Sequence, residues 1–244
     1  MIESEAILID KEISSNGKSV FLTLHSNIKF HFLEWQFIMI DCLLSTGMRK
    51  KKPYSIATTY KLMHTSQQLW LYVKQEWIGG CSEYLTQDFK IGENVIVKGP
   101  VGHYVDTVTY KNYLFISTGS WLAPNRAILQ QLQESKSYDK IAFLFGERDE
   151  HFMLPSILQS FNNLAEIDSD KHYFKLCYSQ QKGVVEYHFQ PEYVQMQIPW
   201  ALAFLGPREQ ISVFLCGNPQ MVDQCVAILL ASGISRSQIT IEKY

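Results

Sequence analysis

Residues 113–124, YLFISTGSWLAP, decide the fold, because they join an apolar run to a glycine-bearing turn and then to a helical pattern. The run Tyr113–Ser117 predicts a buried strand, and Ala123–Glu134 predicts a helix. Between them lie Thr118 and Gly119, in the kind of turn where a dinucleotide pyrophosphate meets the amino end of a helix. The turn is not GxGxxG, so an ordinary strand-to-helix connection explains it as well when it is taken alone.

The alternation of strand and helix continues toward the carboxyl terminus. Further strands are predicted at Lys140–Phe145, His172–Tyr178, Ile211–Cys216 and Ile239–Lys243, and further helices around Leu154–Ala165 and at Pro219–Ala231. Such alternation implies βαβ units and a parallel sheet that helices cover on both faces. Ligands of such sheets bind beyond the carboxyl ends of the strands.

The residues before Asp106 follow a different pattern, with many short β-prone runs and few helical candidates. These runs are Glu5–Ile13, Ser19–His25, Gln36–Leu43, Leu69–Lys74 and Asn94–Lys98. Turn signals such as Asn16-Gly17 and Gly99-Pro100 separate many of them. The pattern predicts a β-sandwich or β-barrel. We therefore expect two domains, residues 1–107 and residues 108–244.

The composition of the 244-residue chain is that of an ordinary globular protein, with 46% apolar and 19% charged residues. A formal net charge of −2 gives no reason to expect nucleic acid as a partner. No run approaches the ~20 apolar residues that span a bilayer, so no membrane span is expected. The amino terminus, MIESEAILIDKEI, lacks the basic and apolar regions of a signal peptide.

The cysteines are odd in number and scattered along the chain: Cys42, Cys81, Cys177, Cys216 and Cys225. No two of them have the spacing of a zinc site or of a plant-type iron–sulfur cluster, so we expect no metal centre. Free thiols in a chain without an export signal favour a reducing compartment. We therefore expect a cytoplasmic protein.

Three short motifs lie in the amino-terminal half. In KPYSIAT (residues 52–58), Tyr54 offers a ring for stacking, Ser55 a hydroxyl and Lys52 a cation for a phosphate, although a surface strand with a solvated basic run explains the motif equally well. In GGCSEYL (residues 79–85), paired glycines before a helix start let backbone N–H groups approach an anion, with Ser82 as a candidate cap, although a Gly-Gly turn before a capped helix is the commoner explanation of such a motif. GPVG (residues 99–102) is interpreted as a turn.

Two motifs lie near the carboxyl terminus. CGNPQM (residues 216–221) follows a buried strand and opens a helix, so Cys216 stands at the carboxyl end of a strand, where reacting groups collect. A buried structural thiol is the alternative. The chain ends with Glu242-Lys243-Tyr244.

The order of these motifs along the chain resembles that of the ferredoxin–NADP reductase superfamily. The series is KPYSIAT, GGCSEYL, GPVG, STGSWLAP, FGER (residues 145–148), CGNPQM and a terminal EKY. The resemblance implies an N-terminal antiparallel Greek-key β-barrel that binds FAD, followed by a parallel-sheet, Rossmann-like α/β domain that binds NADP or NAD.

The resemblance also implies roles for residues on the flavin side. Tyr54, after Pro53, would pack on the flavin ring, while Ser55 would hydrogen bond to flavin N5. Lys52 stands where the family has an arginine that contacts the FAD pyrophosphate, and it keeps the charge without the bidentate fork. The remaining flavin-side residues that the resemblance implies are Tyr72 and Val73, which border the flavin and ribose, and Gly80, Cys81 and Ser82, whose segment offers N–H groups to the phosphates.

On the nucleotide side the resemblance implies a larger set of residues. Thr118 and Gly119 lie in the strand-to-helix turn, Arg148 and Ser179 would contact the adenosine half, and Lys182 lies close behind that serine. Cys216 and Gly217 would lie beside the nicotinamide, with Met221 on the following helix. Near the chain end, Glu242 would border the reacting face and Tyr244 would cover the other flavin face. Trp121 replaces a glycine of the family pattern, and Gln180 and Gln181 precede Lys182, so NADP and NAD both stay open.

The function that follows from the resemblance is electron transfer from NAD(P)H through FAD to a ferredoxin, flavodoxin or similar acceptor. Ser55, Cys216, Glu242 and Tyr244 would be its catalytic residues. The Arg49–Lys52 run would help to dock an acidic carrier, with a solvated loop as the alternative. Because Trp121 occupies the nucleotide turn, a flavin-binding electron-transfer subunit that no longer oxidises nicotinamide is the competing hypothesis.

Overall fold

The computed structural model describes residues 2–33, 35–44, 46–102, 110–160, 168–180 and 192–243. It contains one six-stranded and one five-stranded sheet. The expected fold class is confirmed: a curled antiparallel sheet comes first and a parallel sheet with helices follows. The boundary at residues 107 and 108 lies outside the described residues and stays a prediction. None of the described helices is long and apolar enough to cross a membrane.

The antiparallel sheet has the strand order β4-β3-β6-β1-β2-β5. Its strands are β1 (Ile2–Ile13), β2 (Ser19–Ser26), β3 (Phe37–Leu43), β4 (Arg49–Ser55), β5 (Gln68–Lys74) and β6 (Asn94–Val101). Two short helices accompany them, α1 (Tyr60–Ser66) and α2 (Cys81–Glu83). Buried aliphatic side chains from several strands, among them Leu8, Leu22 and Ile40, form one core inside the curled sheet. The strands β4 and β5, which carry the KPYS and LYVK motifs, are the two edges of this sheet.

The parallel sheet has the strand order β11-β10-β7-β8-β9. Its strands are β7 (Asn112–Thr118), β8 (Lys140–Glu147), β9 (His172–Tyr178), β10 (Ile211–Gly217) and β11 (Ile239–Lys243). The helices around it are α3 (Leu122–Ser135), α4 (residues 155–160), α5 (Val194–Leu205) and α6 (Pro219–Ala231). Every residue of β10 is buried, as expected for a strand that is covered on both faces.

Three features differ from the sequence-based expectations. Gly99 and Pro100, interpreted as a turn, continue β6, and a side chain at Gly99 would come within 2.8 Å of Ile38 Cγ2, so glycine lets the strands approach. The Arg49–Lys52 run lies in strand β4, which confirms the surface strand and contradicts the alternative of a solvated loop. Helix α5 was not predicted, because Pro199 interrupts a sequence that lacks the alternation of polar and apolar faces.

The two sheets meet in a seam of aromatic side chains. Trp35, a barrel residue with φ 76°, packs against Phe214 of β10 with ring centroids 5.3 Å apart. Arg126 of α3 lies over Phe21 of β2 and Trp70 of β5, with its Cζ atom 5.0 and 4.7 Å from their ring centroids. These aromatic side chains belong to one hydrophobic cluster that contains buried residues of both halves. The halves therefore share a core, and packing fixes their relative position.

Arg126 brings a cation into this aromatic seam, and its Nη1 also donates a hydrogen bond to Ala57 O at 3.3 Å. Burial lowers the pKa of Arg126 to about 10, so the guanidinium stays charged at neutral pH. A partly desolvated cation over two rings contributes roughly 2 kcal/mol or more. The guanidinium therefore holds the two halves together by contacts to β2, β5 and the segment after β4.

We expect Arg126→Ala to lower the free energy of unfolding by about 2 to 4 kcal/mol, because it removes both ring contacts and the packing of the aliphatic stem. Urea unfolding followed by tryptophan fluorescence measures the change. Lys171→Ala, which removes an exposed cation, serves as the control and is expected to change stability by less than about 0.5 kcal/mol. Equal midpoints for the two variants would contradict a stabilising role for the seam cation.

Candidate active site

A cavity of ≈ 350 Å³ opens between β4, β5 and the start of α2, and we call it the barrel-side cavity. All nine predicted flavin-side residues line it: Lys52, Pro53, Tyr54, Ser55, Tyr72, Val73, Gly80, Cys81 and Ser82. The structure therefore brings together three motifs that are separated in sequence. The structure shows that these residues lie together, and the role of each side chain stays a prediction.

The chemistry of this cavity suits a planar ring that carries phosphates. Lys52 supplies an exposed cation, while Ser55 and Ser82 supply partly exposed hydroxyls. Burial raises the pKa of the Tyr54 phenol above its ordinary value, and it does the same for Tyr72, so both rings stay neutral. Aromatic faces for a ring, hydroxyls for its edge and a cation for an anion are thus collected in one place.

The loop beside the cavity is shaped by Glu83. Its Oε2 accepts a hydrogen bond from Gly79 N at 2.6 Å, and its Oε1 accepts one from Gln75 Nε2 at 3.2 Å. Gly79 has φ +72°, a left-handed conformation that glycine adopts without strain. The expectation that Ser82 caps the helix is wrong: α2 begins at Cys81 after Gly80, and the Ser82 hydroxyl accepts a hydrogen bond from Glu76 N at 3.3 Å.

A larger cleft of ≈ 1220 Å³ lies at the carboxyl ends of β7, β8 and β9, and we call it the sheet-edge cleft. Five residues predicted for the nucleotide side line it: Thr118, Gly119, Arg148, Ser179 and Met221. Its position follows from the parallel sheet, whose strand ends leave a crevice for ligands. Lys182 and Tyr244 lie outside the described residues, so the structure says nothing of their predicted roles.

The predicted residues Cys216 and Gly217 lie behind the cleft wall. A side chain at Gly217 would come within 2.0 Å of Met221 Cε and 2.9 Å of Thr118 Oγ1, so it would displace both of these side chains. Cys216 is fully buried, and its Sγ donates a hydrogen bond to Glu242 Oε2 at 3.5 Å. Burial raises the pKa of the Cys216 thiol well above its ordinary value. The thiol is therefore neutral and able to donate.

The barrel-side cavity and the sheet-edge cleft share five lining residues: Lys74, Glu76, Trp77, Ser120 and Trp121. Trp121 packs against the seam cluster, while Trp77 is 71% exposed. The two spaces are therefore adjacent, and these residues form the border between them. Trp121, which replaces the glycine of the family pattern, forms part of the border.

The sequence did not predict an ion pair that crosses this border. Lys74 Nζ of β5 contacts Glu147 Oε1 at the end of β8, and the Glu147 side chain is fully buried. Lys74 Nζ and the second carboxylate oxygen, Glu147 Oε2, each lie 3.5 Å from the point where a Cβ atom on Gly119 would stand, so the pair underlies the glycine turn. Each residue belongs to a recognised motif, LYVK or FGER, but no local pattern predicts a contact across 73 positions.

Glu242 makes the free energy of unfolding of the chain depend on pH. Burial raises the pKa of this carboxyl from 4.5 to about 7, while the hydrogen bond from Cys216 acts to lower it. Between these two values the folded chain binds more protons than the unfolded chain, so the free energy of unfolding falls as the pH rises.

We expect Glu242→Gln to flatten this dependence, since an amide does not titrate. The contribution of Glu242 is at most about 1.4 kcal/mol per pH unit. Urea unfolding of both proteins over this pH range measures it. An identical slope for the natural chain and the variant would show that Glu242 is already ionised at low pH in the folded state.

Comparison with known proteins gives a consistent result for both halves. Residues 5–105 match the family described as "Oxidoreductase FAD-binding domain", and residues 115–227 match "Oxidoreductase NAD-binding domain". A solved ferredoxin NADP+ reductase from Neisseria gonorrhoeae with bound FAD and NADP has the same fold, with a TM-score of 0.75 at 17% identity, covering 99% of this chain and 98% of that one.

Two curated relatives are longer proteins. The chain is 22% identical to the toluate 1,2-dioxygenase electron transfer component of Pseudomonas putida, over 96% of this chain and 65% of that protein. It is 24% identical to the reductase component of propane 2-monooxygenase from Rhodococcus jostii, over 81% of this chain and 52% of that protein. The chain thus spans between half and two thirds of the length of these relatives. Together with the two matched domains and the shared fold, they place the chain in the ferredoxin–NADP reductase superfamily of FAD- and nicotinamide-nucleotide-binding oxidoreductases.

Proposed function

We propose that this chain passes electrons from NAD(P)H through FAD to a ferredoxin, flavodoxin or similar small redox carrier. The observation that supports the proposal most strongly is the shared border of the barrel-side cavity and the sheet-edge cleft. When bound, FAD supplies the ability to accept a hydride and to release electrons one at a time. The protein's own task is to bind the two cofactors, orient them and shield them from water.

Each side of the border is assigned a binding task. Lys52 and the segment Gly80–Ser82 hold the phosphates of FAD, and Tyr54 packs on its ring. Gly119 has φ +56° and no side chain. It therefore lets the pyrophosphate of the nicotinamide nucleotide approach the backbone. Arg148, exposed at the cleft rim above Phe152, contacts the adenosine half.

Ser55 is assigned the role of hydrogen bonding to the flavin edge that receives the hydride. It ends β4, directly opposite Phe37 of β3, so the strand pair fixes its backbone. Glu242 and Cys216 form a hydrogen-bonded pair behind Met221 on the nicotinamide side. With a pKa of about 7, Glu242 can hold or give up a proton near neutral pH.

The carrier is proposed to be acidic and to approach β4. This edge strand presents Arg49, Lys50 and Lys51, all exposed, next to Lys52, which is assigned to the FAD phosphates. Arg49 and Lys51 lie 3.3 and 3.7 Å from the Asp41 carboxylate, so Asp41 partly balances their charge. Both relatives named above are parts of oxygenase systems, as their names state, which supports a protein acceptor without identifying it.

Trp121 supports a second candidate function. Its indole forms part of the border between the cavity and the cleft, at a position where the family pattern has glycine. A bulky ring there would crowd a nicotinamide, and the chain would then be an FAD-binding electron-transfer subunit that does not oxidise nicotinamide itself. Anaerobic addition of NADH or NADPH to the yellow protein separates the two functions, since only the first predicts bleaching.

We expect Ser55→Ala to slow flavin reduction by NAD(P)H about tenfold, the effect of one hydrogen bond to developing charge. FAD affinity is expected to change less, because Lys52 and the Gly80–Ser82 segment still bind the phosphates. Stopped-flow absorbance gives the rate, and fluorescence titration gives the affinity. Ser137→Ala, which removes an exposed hydroxyl outside both cavities, is the matched control. An unchanged reduction rate in Ser55→Ala would refute the assigned role.

A further inference from the structure

Two cysteine thiols meet beneath the barrel-side cavity. Cys42 lies in β3 and Cys81 begins α2, and both are buried in the core of the antiparallel sheet. Cys81 Sγ donates a hydrogen bond to Lys50 O at 3.1 Å, and Lys50 stands directly opposite Cys42 in the β3–β4 register. This pairing brings the Cys81 thiol next to Cys42. They are neighbours in space although 39 positions separate them.

The two sulfur atoms have different environments. The hydrogen bond from Cys42 lowers the pKa of Cys81 against the opposing effect of burial, and the cations Lys52 and Lys50 lower it further. For Cys42 the same hydrogen bond and burial raise the pKa. Cys81 also lines the barrel-side cavity, which gives a small molecule a path to it. Cys81 is therefore the nucleophile of the pair, and Cys42 is the thiol that can react with it afterwards.

We propose that Cys42 and Cys81 are an oxidisable dithiol that a peroxide converts into a disulfide, and that FAD in the barrel-side cavity shields it. The Cys81 sulfur attacks one oxygen of hydrogen peroxide, the O–O bond breaks, and a sulfenic acid and one water form. The Cys42 thiol then displaces the second water and forms the S–S bond. Two thiols lose two electrons and two protons, and one peroxide becomes two waters.

The disulfide has a consequence for the cavity. It removes the hydrogen bond from Cys81 to Lys50 O and draws the Gly80–Ser82 segment toward β3. This segment is the one assigned to the FAD phosphates, so this part of the inference rests on the proposed function. The loss of one hydrogen bond to a phosphate raises the Kd for FAD roughly tenfold. Oxidation thus favours release of the cofactor, and the cofactor slows oxidation.

The test treats the purified full chain with hydrogen peroxide, once depleted of FAD and once with excess FAD. We expect the depleted chain to lose two titratable thiols, and peptide mapping to recover a Cys42–Cys81 linkage. Excess FAD should slow the loss. Equal rates with and without FAD would overturn the shielding, and the visible spectrum of the same sample shows separately whether FAD is bound.

Three variants sharpen the result. In Cys42→Ser, Cys81 should stop at a sulfenic acid that dimedone captures, whereas Cys81→Ser should leave Cys42 unreacted. Cys225→Ser, which removes a thiol buried in α6 with a pKa raised to about 12, is the matched control and should still form the disulfide. Failure of Cys42 and Cys81 to react in the natural chain, or linkage of either to another cysteine, would overturn the proposal.

Discussion

The structure depends on one packing constraint, the aromatic seam between the antiparallel and parallel sheets. Trp35 reaches from the first half onto Phe214 of the second, and Arg126 reaches from α3 into the space between Phe21 and Trp70. Because these contacts fix the two halves against each other, the edge strand β5 lies beside the carboxyl ends of the parallel strands. A cavity built by one half and a cleft built by the other thereby lie side by side across a shared border.

The seam also explains the charges at this border. Lys74 ends β5, and the seam brings it against the fully buried Glu147 at the end of β8. A buried carboxylate without a cation would cost several kcal/mol, so this pair ties the charge state of the cleft to the position of the first half. Directly above lies Gly119, in the turn where a pyrophosphate is proposed to bind. The proposed nucleotide turn and the position of the first half therefore share this ion pair.

Much of the site could be predicted from the sequence, because each motif is local and ends an element. KPYS ends β4, LYVK ends β5 and GGCS begins α2, so three short patterns indicated residues that line one cavity. The pairings of Lys74 with Glu147 and of Cys42 with Cys81 join elements that are distant in sequence, so no periodic pattern predicts them. Helix α5 and the strand through Gly99-Pro100 were not predicted, because proline and glycine in these segments signal a break. In the folded chain, tertiary packing overrides those local signals.

The central claim is that the seam lets a nicotinamide and a flavin react directly. The most direct measurement is the rate of anaerobic flavin reduction at saturating nucleotide, with protium and then with deuterium at both C4 positions of the nicotinamide. Direct hydride transfer predicts slower reduction with deuterium. Equal rates, or a flavin spectrum that neither nucleotide changes, would contradict the account.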